Sequence, residues 1–431
     1  MPVWHEKTRA LRESGALAVV GITEEQHPDR CRLFAQWHGI DWPILWDPFN
    51  LTASAAVPLV LAVDERGVVR PGRLDPRRFE EQVAEGFLRD APPDGEPAER
   101  PRPYDDFGPD LVGPARLAAD DVVLRPEQAL SRLLFYDHVH DEPLPAAELD
   151  HSIASLELTA ASARAEPADH FRMGVALRLR YDSPYHRPQD FQRSLDAWTV
   201  ALLANPGQYI WRRRIQQWGP RLDKPYPFYD WIDTARAEIA ARGEEPVPVR
   251  VPLTGAEIAD KTNRIPVSEG EDVHPDPDGG VPRDTSDLVT AEVAVAPHTG
   301  IAASRVREPV GTSRVHVVLR PDPERDVHWS NDAGPTVVWI DLPEGWNVRH
   351  NLHVLPVPEG AEGSDEVRRL DFEVRPPVGP PSVGSVRGTA FYYVCEGGSG
   401  ECSYLARDFE APIPAGGVPP APGVPGGRED R

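Results

Sequence analysis

The chain has 431 residues, 40% of them hydrophobic, and a formal net charge of −23. So acidic a balance excludes nucleic acid as an expected partner, because a phosphate backbone is repelled except at a local basic patch. The length predicts about three domains, and 49 prolines with 34 glycines place much of the chain in loops and linkers.

Motif spacing excludes more. Three cysteines are too few for a disulfide-rich scaffold, and no CxxC or four-ligand spacing points to zinc or covalent haem. Without a nucleophile elbow, P-loop, HExxH or dinucleotide fingerprint, no cofactor is expected. No stretch approaches the roughly 18 apolar residues of a membrane span, so no integral membrane segment is expected.

Residues 1–89 alternate helical and strand patterns. "WHEKTRALRESG" is amphipathic and ends at Gly15, "ALAVVGI" reads as a buried strand, "HPDRCRLFAQWHGI" as a helix and "DWPILWD" as a second strand. "VPLVLAVDERGVVR" predicts a hairpin of Leu59–Val63 and Val68–Arg70, and "DPRRFEEQVAEGFL" a closing helix. Cys31 lies within a helix, away from its first turn. The helix dipole therefore gives its thiolate little support, and it reads as an inert packing residue.

This segment resembles the redoxin branch of the thioredoxin superfamily. The residues that carry the resemblance are Val19-Val20-Gly21-Ile22, Trp42-Pro43-Ile44-Leu45 with Asp47, Val57-Pro58 before a strand, and Asp64 and Gly67 in its turn. The resemblance implies a thioredoxin-like α/β domain in which Val57-Pro58 is the cis peptide standing beside the active-site cysteine. It also implies a first strand and a cysteine, and neither follows Met1. Either the true start lies upstream, which makes the protein extracytoplasmic if a signal is lost with it, or the domain is degenerate and the protein cytoplasmic. A sheet lacking its first strand leaves an open edge, which favours the upstream start.

Residues 90–113 form a proline-rich acidic linker. From 114 to 245 the pattern is all-α, with apolar residues at spacings of three and four. In "YDHVHDE", His138, His140 and Asp141 lack the further ligands a metal site needs. Arg212-Arg213-Arg214 reads as the wet face of a helix whose apolar face carries Tyr209, Ile210, Ile215 and Trp218. Gly174, Leu177, Ser194, Trp198, Ala201 and Pro206 resemble one tetratricopeptide repeat, which implies a helical hairpin and makes a peptide a candidate partner. A single repeat cannot bury its own face, so a hairpin packed among neighbours is expected.

After an acidic loop over 246–284, the period changes to two. Strand patterns over 285–413, separated by Gly, Pro and Asp turns, suggest an immunoglobulin-like sandwich of about seven strands. Residues 414–431 read as a disordered tail. The two remaining cysteines, Cys395 and Cys402, flank "EGGSGE" between two strand patterns. Adjacent antiparallel strands can bring Cα atoms within the roughly 4.4–6.8 Å a disulfide needs. Structural bridge, redox-active pair and free thiols all remain open, because the flanking Glu396 and Glu401 raise a thiol pKa and slow exchange.

Residues 285–413 also resemble the periplasmic N-terminal domain of DsbD-type thiol-disulfide interchange proteins, on "SRVHVVLRPDPERDVHWSNDAGPTVVWIDLPEG" followed by the cysteine pair. The resemblance implies that Cys395 and Cys402 exchange with protein thiols or disulfides. The expectation for the whole chain is a multidomain protein associated with thiol-disulfide exchange. The alternative is a non-catalytic binding or assembly scaffold whose disulfide is structural.

Overall fold

The computed structural model describes residues 1–64, 67, 69, 74–83, 129, 130, 133, 146–218, 229–253, 272–297, 312–358, 360–377, 384–397 and 402–413. The linker over 90–113, the triplet His138, His140 and Asp141, Glu401 and the tail over 414–431 lie outside the described residues. The chain mixes helices and antiparallel sheets, with a sheet-rich C-terminal region. It divides into two compact units: Met1–Leu156 with Trp231–Arg250, and Glu157–Asp230 with Val251–Arg431.

In the first unit, α1 (Pro2–Glu13), β1 (Gly21–Thr23), α2 (Pro28–Trp37), β2 (Ile44–Trp46) and α3 (Phe79–Gln82) follow in chain order. β1 pairs with β2 in parallel, Ile22 opposite Leu45. The strand starts at Gly21 and not at Ala16 as its apolar run suggests. The amides of Ala16 and Leu17 turn back onto the Leu11 carbonyl at 2.9 and 3.2 Å, so these residues close α1. Of the expected hairpin, Val63 and Val69 form an antiparallel bridge. Leu33, Trp42, Trp46, Phe49 and Phe79 are buried here, whereas Val20, Ile22, Leu45, Leu59, Leu61, Val63 and Val69 are exposed.

A helix that the sequence groups with the all-α region, Ile232–Ala241, belongs to this unit and packs on α2. The aromatic residues of α2 explain the packing. Trp37 stacks on Trp231 at 6.0 Å, Phe34 meets Trp231 edge-on at 5.3 Å, and the Trp37 indole donates to Glu238 at 2.6 Å. Arg250 then grips Asp29 through two hydrogen bonds of 2.9 and 3.0 Å. Burial alone raises the Asp29 carboxyl pKa, but the bonds and charge of Arg250 outweigh it and hold the group below its ordinary value.

A helix over Ala146–Ala160, α4, carries the boundary between the units. In the second unit, α5 (Pro167–Tyr181), α6 (Asp190–Ala204) and α7 (Tyr209–Gln216) precede the strands. α5 opens with a capping box between Glu166 and Asp169. α5 and α6 meet at Gly174, where a Cβ would lie 2.5 Å from the Trp198 indole nitrogen. That nitrogen donates to the Phe171 carbonyl at 3.2 Å. A buried, bidentate Arg180–Asp190 pair, at 2.7 and 2.8 Å, ties the same two helices.

The Arg212–Arg214 run does not form a uniformly wet face. Arg214 is 3% exposed, with its guanidinium 5.8 Å from the Phe171 ring and 5.9 Å from Trp198. On a helix this short, a long side chain can lay its stem on the aromatic core that the preceding helices supply.

The strands form two antiparallel sheets. The first contains β3 (Val289–Pro297), β4 (Ser313–Pro321), β7 (Asn347–Val348) and β10 (Arg368–Arg375), in the order β3-β4-β10-β7. The second contains β5 (Val327–Ser330), β6 (Val337–Asp341), β8 (Leu352–Val354), β9 (Gly363–Ser364), β11 (Gly384–Glu396) and β12 (Cys402–Ile413). Val295, Val317, Leu319 and Phe372 from one sheet share a core with Trp329, Ile340, Tyr392 and Val394 from the other.

The helices lie on the first sheet. Gln192 of α6 accepts from the Val295 amide at 2.6 Å and donates to its carbonyl at 3.2 Å, and His186 pairs with Glu292. Arg178 donates to Asp182 at 2.7 Å and rests 3.8 Å from the Trp218 ring and 4.2 Å from that of Phe191. The hairpin therefore meets both the first sheet and α7, where Phe171 stacks on Trp211 at 5.3 Å.

Candidate functional site

β11 and β12 are the longest strands described, and they pair over twelve rungs from Gly384↔Ile413 to Cys395↔Cys402. Long strands of β-branched and aromatic residues favour such a ladder. Just past β11, Gly397 has φ +71°, a conformation glycine adopts without a Cβ penalty.

At the last rung the sulfurs of Cys395 and Cys402 are bonded, with the Cα atoms 4.1 Å apart. The two ends of the bridge differ. Cys395 is 6% exposed, while Cys402 faces solvent. β11 explains the difference, because it is flanked by β12 on one side and by β5 on the other.

Alternation sets the face. Val394 and Trp329 belong to the shared core, so Cys395 and the residue opposite it in β5, His328, point to the outer face. Next to the bridge on that face, the rings of Tyr393 and Tyr404 meet at a tilt of 30° with centroids 4.4 Å apart. Burial, then the neighbouring Tyr393 and Asp276, raise the Tyr404 pKa.

The acidic flank expected to slow exchange is partly neutralised. Glu396 accepts from Arg325 at 3.0 and 2.8 Å, and Arg325 also donates to the Ser286 carbonyl at 2.7 Å. The Gly397 amide donates to the Asp326 carbonyl at 3.1 Å. A carboxylate held by a guanidinium repels a nearby thiolate less than a free one.

Behind the tip, the Tyr392 hydroxyl donates to Asp284 at 2.9 Å, and Asp284 accepts from the amides of Ser286, Leu288 and Val289 at 3.2, 3.1 and 2.9 Å. Burial, followed by the Asp284 charge, raises the Tyr392 pKa far above its ordinary value.

The other residues singled out in the sequence lie in the first unit. The Val57–Pro58 peptide is cis, and both residues are exposed. Cys31 is a free thiol, and burial raises its pKa despite a hydrogen bond from the Thr23 hydroxyl. Sequence reading missed Arg325 and His328. His328 lies in the four-residue strand "VHWS", too short for a period of two to stand out, and Arg325 ends the short 3-10 turn before it.

Among the described residues no group of three or more potential ligands is placed to hold a metal ion, and no helix is long and apolar enough to cross a membrane. No family model matches the sequence, and it has no significant match among curated proteins.

Proposed function

We propose that this chain is a thiol-disulfide exchange protein whose redox centre is the Cys395–Cys402 pair, carried on a DsbD-like, immunoglobulin-type sandwich and accompanied by a thioredoxin-like N-terminal unit. The observation that carries the reading is the position of the bridge: on the last rung of a hairpin, with one sulfur buried and the other open to solvent. Exchange requires in-line access to one sulfur and a leaving group on the other, and this asymmetry supplies both.

In the reaction, a thiolate of a partner dithiol protein attacks Sγ of Cys402, and the electron pair of the broken bond leaves on Sγ of Cys395. The partner's second thiolate then attacks the partner sulfur of the mixed disulfide and releases Cys402. The partner is oxidised by two electrons, and the Cys395–Cys402 pair is reduced. The same steps in reverse oxidise the pair.

Glutathione buffers of graded potential, followed by alkylation and peptide mass spectrometry, test the reading. The pair is expected to open near the glutathione couple while the protein stays folded. A bridge that yields only on unfolding sinks the proposal. The alternative reading, a non-catalytic binding or assembly scaffold whose disulfide is structural, predicts instead that the bridge yields only on unfolding.

A further inference from the structure

On its helix side the first sheet carries charged residues that the core between the sheets does not use. Leu370 and Phe372 of β10 enter that core, so Arg369 and Asp371 point the other way, opposite Val318 and His316 of β4. Between these strands and the helices α5 and α6 lies a cavity with about 350 Å³ of free space, part of it open to solvent. Sites for small molecules begin at about 300 Å³. Arg178, Tyr181, Phe191, Pro252 and Arg369 line it, and all of them belong to the second unit.

The two carboxylates on the wall, Asp182 and Asp371, are engaged. Asp182 accepts from Arg178 at 2.7 Å, and Asp371 pairs with His316, whose Nε2 donates to the Trp218 carbonyl at 2.6 Å. The cations are less well matched. Arg369 is half-buried, donates to the Val367 carbonyl at 3.3 Å and makes no ion pair among the described residues. Burial, then the neighbouring Arg320 guanidinium, lower its pKa, as expected of a cation short of counter-charge. Arg178 is 3% exposed and rests 3.8 Å from the Trp218 ring, yet its Nη1 donates to no acceptor. The indole nitrogen of the fully buried Trp218 has none either. Buried donors without acceptors are unusual and destabilising.

We propose that this cavity binds a small monocarboxylic acid, its carboxylate received by Arg369 and Arg178 and its apolar body set against Tyr181, Phe191 and Pro252. Guanidinium groups match a carboxylate in shape as well as in charge. A dianion fits less well, because Asp182 and Asp371 stand beside the site and repel a second negative charge. A neutral apolar molecule desolvates Arg369 without compensating its charge. The site is separate from the Cys395–Cys402 bridge and does not rest on the exchange reading.

The test uses the full chain with its bridge intact, at fixed ionic strength. Benzoate and propionate are the probes; benzamide, phosphate and sulfate are the comparisons. Calorimetric titration reads affinity, and amide hydrogen exchange reads where the ligand acts. Both carboxylates should bind and slow exchange in β4 and β10, whereas benzamide, phosphate and sulfate should bind at least about tenfold more weakly than benzoate. In Arg369→Gln the affinity for benzoate should fall about 10- to 100-fold, the worth of hydrogen bonds to a charged group. Arg369→Lys, which keeps the charge, should lose less.

Failure of wild type to bind either carboxylate overturns the proposal, and so does equal affinity for benzoate in Arg369→Gln. Benzamide, phosphate or sulfate binding as tightly as benzoate overturns it too. That comparison is made on wild type, so it decides the matter even if the variants do not fold.

Discussion

Replacing both bridge cysteines, Cys395→Ser with Cys402→Ser, separates a staple from a working pair. The residues are seven apart in sequence. A loop of about eight residues removes about 2.5 kcal/mol of chain entropy from the unfolded state by the loop-length relation. In the folded state the ladder already holds these ends together through eleven further rungs, so the bridge adds little beyond that entropic term. The double variant should therefore lose about 2–3 kcal/mol, and reduced wild type should match it. Because the chain has two units, one melting midpoint is not a sound measure. Native-state hydrogen exchange of β11 and β12 amides, with denaturant melts followed by tryptophan fluorescence, reads the second unit directly. A loss of 5 kcal/mol or more would refute the reasoning and make the bridge a structural requirement of the sandwich.

Three other perturbations test the scaffold. Gly174→Ala normally gains about 1 kcal/mol in a helix, but here its Cβ meets a buried indole at 2.5 Å and the Ser194 carbonyl at 3.0 Å. Overpacking should reverse the sign to a loss of about 1–2 kcal/mol, and Trp198→Leu in the same chain should show coupling in a double-mutant cycle. Asp190→Ala removes the bidentate partner of the buried Arg180 guanidinium and should cost about 3–5 kcal/mol in a denaturant melt. Burial, opposed by a Gln192 hydrogen bond, pushes Asp196 up to about 6 from 3.8. The folded state then holds the extra proton, so this stability is present below about pH 4 and is lost as pH rises through 6. Asp196→Asn should be more stable than wild type at pH 7 by about 1–3 kcal/mol and little different at pH 4, as melts at both pH values will read.

Periodicity revealed most of the elements and little of how they assemble. α2, β3, β4, β6, β10, β11 and β12 all carry a spacing of three and four, or of two, long enough to stand above its surroundings. The strands β5, β7 and β9, of four, two and two residues, exist because longer neighbours offer them backbone partners. Nothing local marks them. The placement of Ile232–Ala241 with the first unit depends on Trp37, Phe34 and Trp231 finding one another across some two hundred residues of sequence, which no window can register. At the candidate site, the cysteines were legible because their residue type announces chemistry. Arg325 and His328 were not, because one comes to the site through an ion pair with Glu396 and the other through register with Cys395.

The Tyr392–Asp284 hydrogen bond has a mechanical consequence. Tyr392 shares a strand with Cys395, and its hydroxyl is pinned by a carboxylate that also holds the amides leading into β3. Opening the bridge frees the ladder only from the tip inward to this pin, where the buried bond resists further unzipping. The effect of reduction should therefore stay local: amides near Cys395 and Cys402 lose protection, and those from Phe391 towards Gly384 keep theirs. On the proposed exchange reading, such a hairpin would change state at its end while the sandwich beneath it stays unaltered, and a partner would meet the same fold in either state.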